Sequence, residues 1–379
     1  MDFNDSAPEA QFRAELRRWL SEHAADASIP EDPAARADAQ NSWHQTLYKA
    51  GYIGLSFPVE YRGHGKAPIY EAILNDELGG AGAPPIEGVG HLSNALRLFG
   101  TDEQRDTLLP GLLSGQVRWC QGFSEPEAGS DLAGLKTRAE LIDGDGHQRF
   151  RVNGRKIWTS FGAVAEWCFL LCRTEPDAPK HAGISVLLVP MSTPGIQVRP
   201  IVNAARNREF SEVTFDDVDV PVANLLGERG QGWSIANQLL AYERGPGDIN
   251  WVSRLSTQLR RLEDDIRTGW LPDSPAARAR LGRAYVELRA LQIKVQRSLT
   301  ERQRGKLPGP EGSVDKLLMA RADQCLGHTM MDLCGSGPLF TEGLEWDIYL
   351  WSRAAGIYGG TAQIQRNIVA QRVLGLPRA

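Results

Sequence analysis

The sequence predicts an α+β chain in three successive parts: an N-terminal all-α domain, a middle β-barrel or sandwich domain, and a C-terminal helical domain. Three observations carry this. Residues 6 to about 118 repeat apolar side chains at helical spacing. From about Arg118 to Leu226 the period falls to two, and Gly and Pro break the runs at the short intervals of a sandwich or barrel. After GERGQGW (227–233) the helical period returns and holds nearly to the end. The expected boundaries are therefore 1–118, 119–226 and 227–379, within the two to three domains that a chain of this length allows at about 100–150 residues each.

In the first part Phe12, Leu16, Trp19 and Leu20 recur on one helical face. Trp43, Leu47 and Ala50 repeat the pattern before Gly51 marks a stop. FPVEYRGHGKAP (57–68) reads as a loop, and a helix is expected from Ile69 to Leu78. Thr101, with Glu103 and Gln104 in the following turn, reads as a capped helix start. In the second part RFRVNGRKIW alternates, and Asn153-Gly154 sits where a hairpin turn is expected. WCFLLCRT, GISVLLVP, GIQVRPI and SEVTFDDVDVP read as further strands. In the third part residues 276–305 have the Ala, Arg, Leu and Glu of long surface helices, while KLPGPEGS (306–313) and CGSGP (334–338) interrupt them.

Composition excludes several classes. Lys plus Arg is 42 against 47 for Asp plus Glu, a net charge of −5, which argues against a generally basic nucleic-acid binder. Five cysteines, odd in number and without a CxxC pair, argue against a disulfide framework or zinc cluster and fit a reducing compartment. His44, His64, His91 and His328 show no metal-ligand spacing, so no metal is expected and they are assigned structural or surface roles. Arg260, Arg261 and Arg267 interleave with Glu263, Asp264 and Asp265, as on a solvated helix face. The longest apolar runs, Trp167 to Cys172 and Gly183 to Pro190, are too short to span a bilayer. MDFNDSAPEAQ lacks a basic region followed by an apolar core, so a cytoplasmic protein without a membrane partner is expected.

Four stretches carry the candidate chemistry. In CQGFSEPEAGSDL (120–132), Gly129 lets backbone approach a ligand, and Ser124 and Ser130 offer hydroxyls and amides to phosphate or ring heteroatoms; the other reading is a surface turn. In GRKIWTSFGAVAEW (154–167), Trp158 beside Thr159 and Ser160 can lay a flat face on a ring while a hydroxyl bonds its edge; the other reading is a strand with an inward Trp. YGGTAQIQRNIVAQRVLG (358–375) reads as a helix start whose amides suit a carbonyl or anion, or as a Gly-rich helix terminus and nothing more. In LAYERGPGD (240–248), Glu243 stands among Leu239, Leu240 and Tyr242, where desolvation would suit it to general-base work; the other reading is a solvated Glu paired with an Arg. Pro246 is expected to bend or end that helix.

Taken together and in this order, these residues resemble the acyl-CoA dehydrogenase family over nearly the whole chain. FSEPEAGSD (123–131) resembles its Thr-Glu-Pro-x-Ala-Gly-Ser-Asp signature, IWTS (157–160) its Trp-x-Thr/Ser strand, FDDVDVPVANLLGERGQGW (215–233) its β-domain exit, and IYGGTAQIQRNI (357–368) its C-terminal signature. The resemblance implies a C-terminal four-helix bundle, FAD as cofactor, and a subunit of a tetramer. It implies that Gln121, Phe123, Ser124, Gly129 and Ser130 contact the flavin and its pyrophosphate side, that Trp158 and Ser160 lie against the isoalloxazine, and that Thr361 and Gln363 touch the dinucleotide. It also implies an acyl-CoA substrate and an electron-transferring flavoprotein as acceptor of the electrons.

The sequence departs from the family pattern at the base. Where many members have Tyr-Glu-Gly-Thr, this chain has Tyr358-Gly359-Gly360-Thr361. Gly359 takes no proton, though its amide can polarise a thioester carbonyl. Some branches place the base on a bundle helix immediately before an Arg, and Glu243-Arg244 matches that position. Glu243 is thus expected to remove the α-proton during α,β-desaturation, with Arg244, Tyr358 and Gly360 at the substrate. Members that form homotetramers carry Arg-x-x-Phe-Gly after the long bundle helix; ERQRGKLPGPEG (301–312) lacks the Phe, leaving Arg302 as the candidate for that contact to FAD. These departures resemble the actinobacterial branch acting on steroid side chains, in which two different subunits assemble as a heterotetramer. Two other readings stay open: a non-catalytic or half-site subunit of such a heterotetramer, and a flavin monooxygenase or nitroalkane oxidase on the same fold.

Overall fold

The computed structural model describes residues 4–24, 33–86, 89–144, 147–243, 248–306, 309–335 and 344–377. The chain divides into two compact units, one made of Met1–Ser28, Gly65–Pro85 and Glu243–Ala379, the other of Ile29–His64 and Ile86–Tyr242.

The second unit contains helices α2 (Pro33–Lys49), α4 (Val89–Phe99) and α5 (Asp102–Ser114), and the eight strands found among the described residues. Thr101 caps α5 as expected: its Oγ1 accepts from Gln104 N at 3.2 Å, and Gln104 Oε1 accepts from Thr101 N at 3.1 Å. The same Gln104, buried, donates Nε2–H to Ala223 O at 2.7 Å and Leu225 O at 2.9 Å, so the cap also anchors α5 to the chain leaving the sheet. The strands are β1 (Trp119–Gly122), β2 (Arg138–Gly144), β3 (His147–Ser160), β4 (Trp167–Arg173), β5 (Ile184–Pro190), β6 (Ile196–Ile201), β7 (Phe210–Pro221) and β8 (Leu225–Leu226). They form one sheet in the order β6-β7-β3-β2-β4-β5-β8, with β1 parallel beside β4. Phe150, Val152, Leu170, Leu187, Val189, Val213, Phe215, Val218 and Val220 fill a single core. The helix α6 (Gly232–Glu243) follows, burying Ile235, Ala236 and Leu239.

The expected turn at Asn153-Gly154 is not there. Both residues lie inside β3, where the register against β7 shifts between Val152 and Gly154 as a bulge, and the β2–β3 hairpin instead closes with Gly144 opposite His147. Asn153 keeps a negative φ, which a two-residue type I′ turn does not allow. Its amide is used across the sheet, accepting from Asp217 N and donating to Asp217 Oδ1, each at 3.0 Å. Gly154 is required by contact: a Cβ would lie 2.5 Å from Thr137 Oγ1.

The first unit is helical. It contains α1 (Ala7–His23), α3 (Pro68–Gly80), α7 (Asp248–Arg267), α8 (Pro275–Gln303), α9 (Gly312–Cys334), α10 (Leu344–Ala354) and α11 (Ala362–Ile368), which continues as one π turn over Val369–Val373. Leu255, Leu259, Leu262, Leu288, Leu291, Val295, Met319, Leu326 and Met330 form its core, with Ile348 and Tyr349 of α10 packed against it. At 25 cal/mol per Å² this apolar burial is the main cohesive term. α3 meets α7 closely at Gly79, where a Cβ would stand 2.7 Å from Asn250 O. Arg13 on α1 donates to Asp76 at 2.7 Å and Glu77 at 2.6 Å on α3. Among the described residues no helix is long and apolar enough to cross a membrane, and no group of His, Cys, Asp or Glu could hold a metal ion.

Candidate active site

In the β-containing unit, two of the sequence stretches come together. Ile157 N donates to Ser124 O at 2.9 Å, joining IWTS on β3 to the FSEPEAGSD loop that leaves β1. The loop folds on itself through Glu125 N to Ala128 O at 3.1 Å and Ala128 N to Glu125 O at 3.0 Å. Its outer residues, Gly129 and Ser130, are exposed, Ser124 is half-buried, and Phe123 is buried. A Cβ on Gly129 would meet nothing within 4 Å, so protein packing does not require glycine there and close approach of a ligand would.

The strand side is set by a second irregularity. Between Lys156 and Thr159 the β3–β7 register shifts again, and Trp158 takes a left-handed backbone, φ 59. A bulky residue is an outlier in this conformation, which Phe161 shares at φ 59. The result aims Trp158 outward: its indole is 57% exposed, with its edge against Phe210 at 6.1 Å, while neighbouring Thr159 is buried. The reading of an inward Trp is thus excluded. Ser160, half-buried, closes β3 opposite Phe210. Gln121, half-buried on β1, places Nε2 2.6 Å from His91 Nε2, so His91, assigned a structural or surface role, reaches a site candidate.

Beneath the loop lies an ion pair that the sequence reading missed. Lys156 has no exposed side-chain surface and donates to Glu125 Oε1 at 2.8 Å and Phe123 O at 3.1 Å. Glu125 also accepts from Lys136 N at 2.6 Å and Thr137 N at 2.8 Å. Burial pushes the Glu125 carboxyl up, but the Lys156 charge and these hydrogen bonds outweigh it and hold it below its ordinary value. Burial pulls the Lys156 ammonium down, and Glu125 opposes that pull. The pair pins the base of a loop whose outer surface is free for a ligand. Its sequence signal was a Lys on the inward phase of an alternating strand. Nearby, Glu209, whose carbonyl accepts from Phe161 N at 2.8 Å, has its carboxyl pushed up to about 7 by burial, partly offset by the charge of Arg36.

The helical unit carries the other predicted residues. Gly359 and Gly360 have φ 62 and 91, a double left-handed turn that L side chains resist. Thr361 caps α11, its Oγ1 accepting from Ile364 N at 3.3 Å. Gln363 is exposed, whereas Gln365, four residues after the cap and fully buried, donates to Gly359 O at 2.9 Å. Helical spacing from Thr361 was the signal for Gln365. Tyr358 lies under Lys316, whose Nζ is 3.7 Å from the ring centroid. Arg302 is half-buried in the last turn of α8. Glu243 ends α6; its side chain, Arg244 and Pro246 lie outside the described residues. A depression of about 530 Å³ lined by Arg17, Leu20, Ser21, Glu77 and Gly80 contains none of the predicted residues.

An outward indole on a strand hydrogen-bonded to the loop that carries Ser124, Gly129 and Ser130 fits the flat ring and phosphates of a flavin dinucleotide. A double-glycine turn stabilised by a buried amide suits a carbonyl ligand. Fold and site together define a helical and β-sheet oxidoreductase, and the chain belongs to the acyl-CoA dehydrogenases. Models of that family's N-terminal, middle and C-terminal domains match residues 6–116, 120–218 and 230–374. Acyl-CoA dehydrogenase IpdE1 of Mycobacterium tuberculosis is 38% identical over 384 residues, covering 97% of this chain and 98% of its own. The corresponding IpdE1 of Mycolicibacterium smegmatis is 37% identical over 391 residues, with 97% and 98% covered. Among solved structures, the Tcur3481-Tcur3483 steroid ACAD superposes with TM-score 0.86 at 29% identity, all of both chains covered. The ChsE4-ChsE5 complex from Mycobacterium tuberculosis gives 0.84 at 29%, again over both chains entirely.

Proposed function

We propose that this acyl-CoA dehydrogenase binds FAD and desaturates the α,β bond of a CoA thioester of a steroid-derived acid, with Glu243 as the base. The observation that carries the assignment of the base is the turn at Gly359-Gly360: glycine at both positions, in a left-handed backbone that L side chains adopt only at a cost, supplies a backbone amide and no carboxylate. Glu243, at the end of α6 and next in sequence to Arg244, is the carboxylate that takes its place.

Trp158 would lie against the isoalloxazine, Ser160 would bond its edge, and Gln121, Phe123, Ser124, Gly129 and Ser130 would hold the ring and pyrophosphate. Thr361, whose hydroxyl still has its proton to donate, and Gln363 would touch the dinucleotide, and Arg302 its outer half. Bound FAD supplies the acceptor for the β-hydride. The Gly359 amide holds the thioester oxygen as negative charge develops there, which acidifies the α-carbon. Glu243 receives the α-proton, with Arg244, Tyr358 and Gly360 lining the acyl-CoA. The base is effective only if it is held at the α-carbon as the β-hydride leaves. The reading extends to partners: a second acyl-CoA dehydrogenase-like subunit, by analogy with the ChsE4-ChsE5 complex, and an electron-transferring flavoprotein.

Glu243→Gln tests it. Removing a general base costs about 10²–10⁴ in turnover, so the variant should keep its yellow flavin and lose desaturation of a steroid-derived CoA ester by that factor. Turnover within a few-fold of the unaltered enzyme overturns the assignment.

A further inference from the structure

Gln365 has no part in the reaction as assigned above. It lies on α11 with no exposed surface, and its side-chain amide is turned onto backbone: Nε2 donates to Gly359 O at 2.9 Å and, more weakly, to Gly360 O at 3.4 Å. Both partners can only accept, so the amide nitrogen and not the oxygen faces them. The other end is unsatisfied, since Oε1 has no hydrogen-bond partner among the described residues. A buried amide oxygen without a partner disfavours the fold. Stability alone therefore does not call for glutamine at this position.

The peptide groups that Gln365 holds are easily turned. The chain is tied before them, Tyr358 N donating to Ala354 O at 3.1 Å, and across them, Ala362 N donating to Gly356 O at 2.9 Å. Between these ties stand two glycines, which take positive and negative φ about equally, so the peptide plane joining them can turn over at little cost. In a trans peptide the C=O and N–H point in opposite directions. Turning the Gly359–Gly360 plane over would put a carbonyl oxygen where an N–H had been, and would disturb the Gly359 N–H through the shared Cα. A carbonyl oxygen turned toward a thioester oxygen repels the charge that has to be stabilised there. The bond from Gln365 selects the orientation with the Gly359 carbonyl toward α11, in which Gly359 and Gly360 have φ 62 and 91. The cap at Thr361 sets the helical phase that brings Gln365 back over the two glycines.

We propose that Gln365 is a positioning residue for the reaction: by holding the Gly359 carbonyl toward itself, it fixes the Gly359-Gly360 turn in the orientation whose Gly359 N–H polarises the thioester carbonyl. The proposal rests on the function assigned above and deepens it.

The test reads the carbonyl directly. The holoenzyme binds an α,β-unsaturated steroid carboxylic CoA ester labelled with carbon-13 at the thioester carbonyl, and difference infrared spectra give the downshift of the carbonyl stretch. Gln365→Met keeps the length of the side chain and removes the donor. It should retain its FAD, read by absorbance, while the downshift falls to about half or less. Gln365→Asn keeps a buried amide but falls short of Gly359 O, and it should lose the downshift equally; it carries the test if Gln365→Met does not fold. In Gln365→Glu at pH 6 the buried carboxyl keeps its proton and donates to Gly359 O in place of the amide, so most of the downshift should return. With the saturated ester, Gln365→Met should lower kcat about tenfold, part of the roughly 10²–10³ that loss of a whole oxyanion donor costs, with KM changed less than about twofold. An unaltered downshift in the variants without the donor, or equal losses in Gln365→Met and Gln365→Glu, overturns the role of Gln365. The Glu243→Gln holoenzyme should still show the downshift, so failure of the base assignment is read separately. No downshift in the unaltered enzyme removes both the Gly359 role and this one.

Discussion

Truncating Glu125 to alanine should damage the β-containing unit more than removing its partner Lys156. In Glu125→Ala the Lys156 ammonium, with no exposed surface, keeps one acceptor, Phe123 O at 3.1 Å, and the N–H groups of Lys136 and Thr137 lose theirs. Breaking a buried pair from one side costs about 3–5 kcal/mol. In Lys156→Met the carboxylate keeps both backbone donors, at 2.6 and 2.8 Å, and a linear apolar chain fills the vacated space, so about 1–2 kcal/mol is expected. At roughly 2–4 °C per kcal/mol for a unit of this size, Glu125→Ala should lower the melting temperature by about 6–20 °C and Lys156→Met by about 2–8 °C, read by circular dichroism. Because the pair pins the FSEPEAGSD loop, Glu125→Ala should also weaken FAD retention at least about tenfold, or about 1.4 kcal/mol. The folded Glu125 carboxyl lies below its ordinary value of 4.5, so its contribution is complete above that value and disappears as the pH falls through the lower, folded one. Equal losses in the two variants, or a larger loss for Lys156→Met, would refute this reasoning.

Glu209 has the opposite sign. Its folded carboxyl, near 7 against an ordinary 4.5, favours the folded state below pH 4.5, and that benefit is lost as the pH rises through about 7; Glu209→Gln should therefore gain about 2 kcal/mol at pH 8 and little at pH 5, checked by melting temperature against pH. Gly359→Ala places a Cβ at φ 62, costing about 1–2 kcal/mol, and should lower kcat more than FAD content, measured by steady-state assay beside the flavin absorbance. Trp158→Ala removes an exposed stacking face and should weaken FAD binding about tenfold without lowering the melting temperature of the apoprotein.

Much of this chain is legible in one dimension because the relevant physics is short-range. The helix–β–helix order follows from a period that changes near 118 and near 226. Thr101 and Gln104 announce the start of α5, since a capping box is local. Glycine at 359, where relatives carry an acid, is visible in the sequence, and so is Glu243-Arg244, the basis of the proposed replacement. What the tertiary structure decided depends on offsets that local patterns do not contain. Asn153-Gly154 reads as a turn until pairing with β7 makes it a bulge, and that bulge and the next one determine that Lys156 faces inward to Glu125 while Trp158 faces out. Gln365 rather than Gln363 supports the glycine turn because the cap at Thr361 sets the phase of α11. A side chain's neighbours across a sheet or bundle are set by long-range register, and one residue of shift exchanges a buried face for an exposed one.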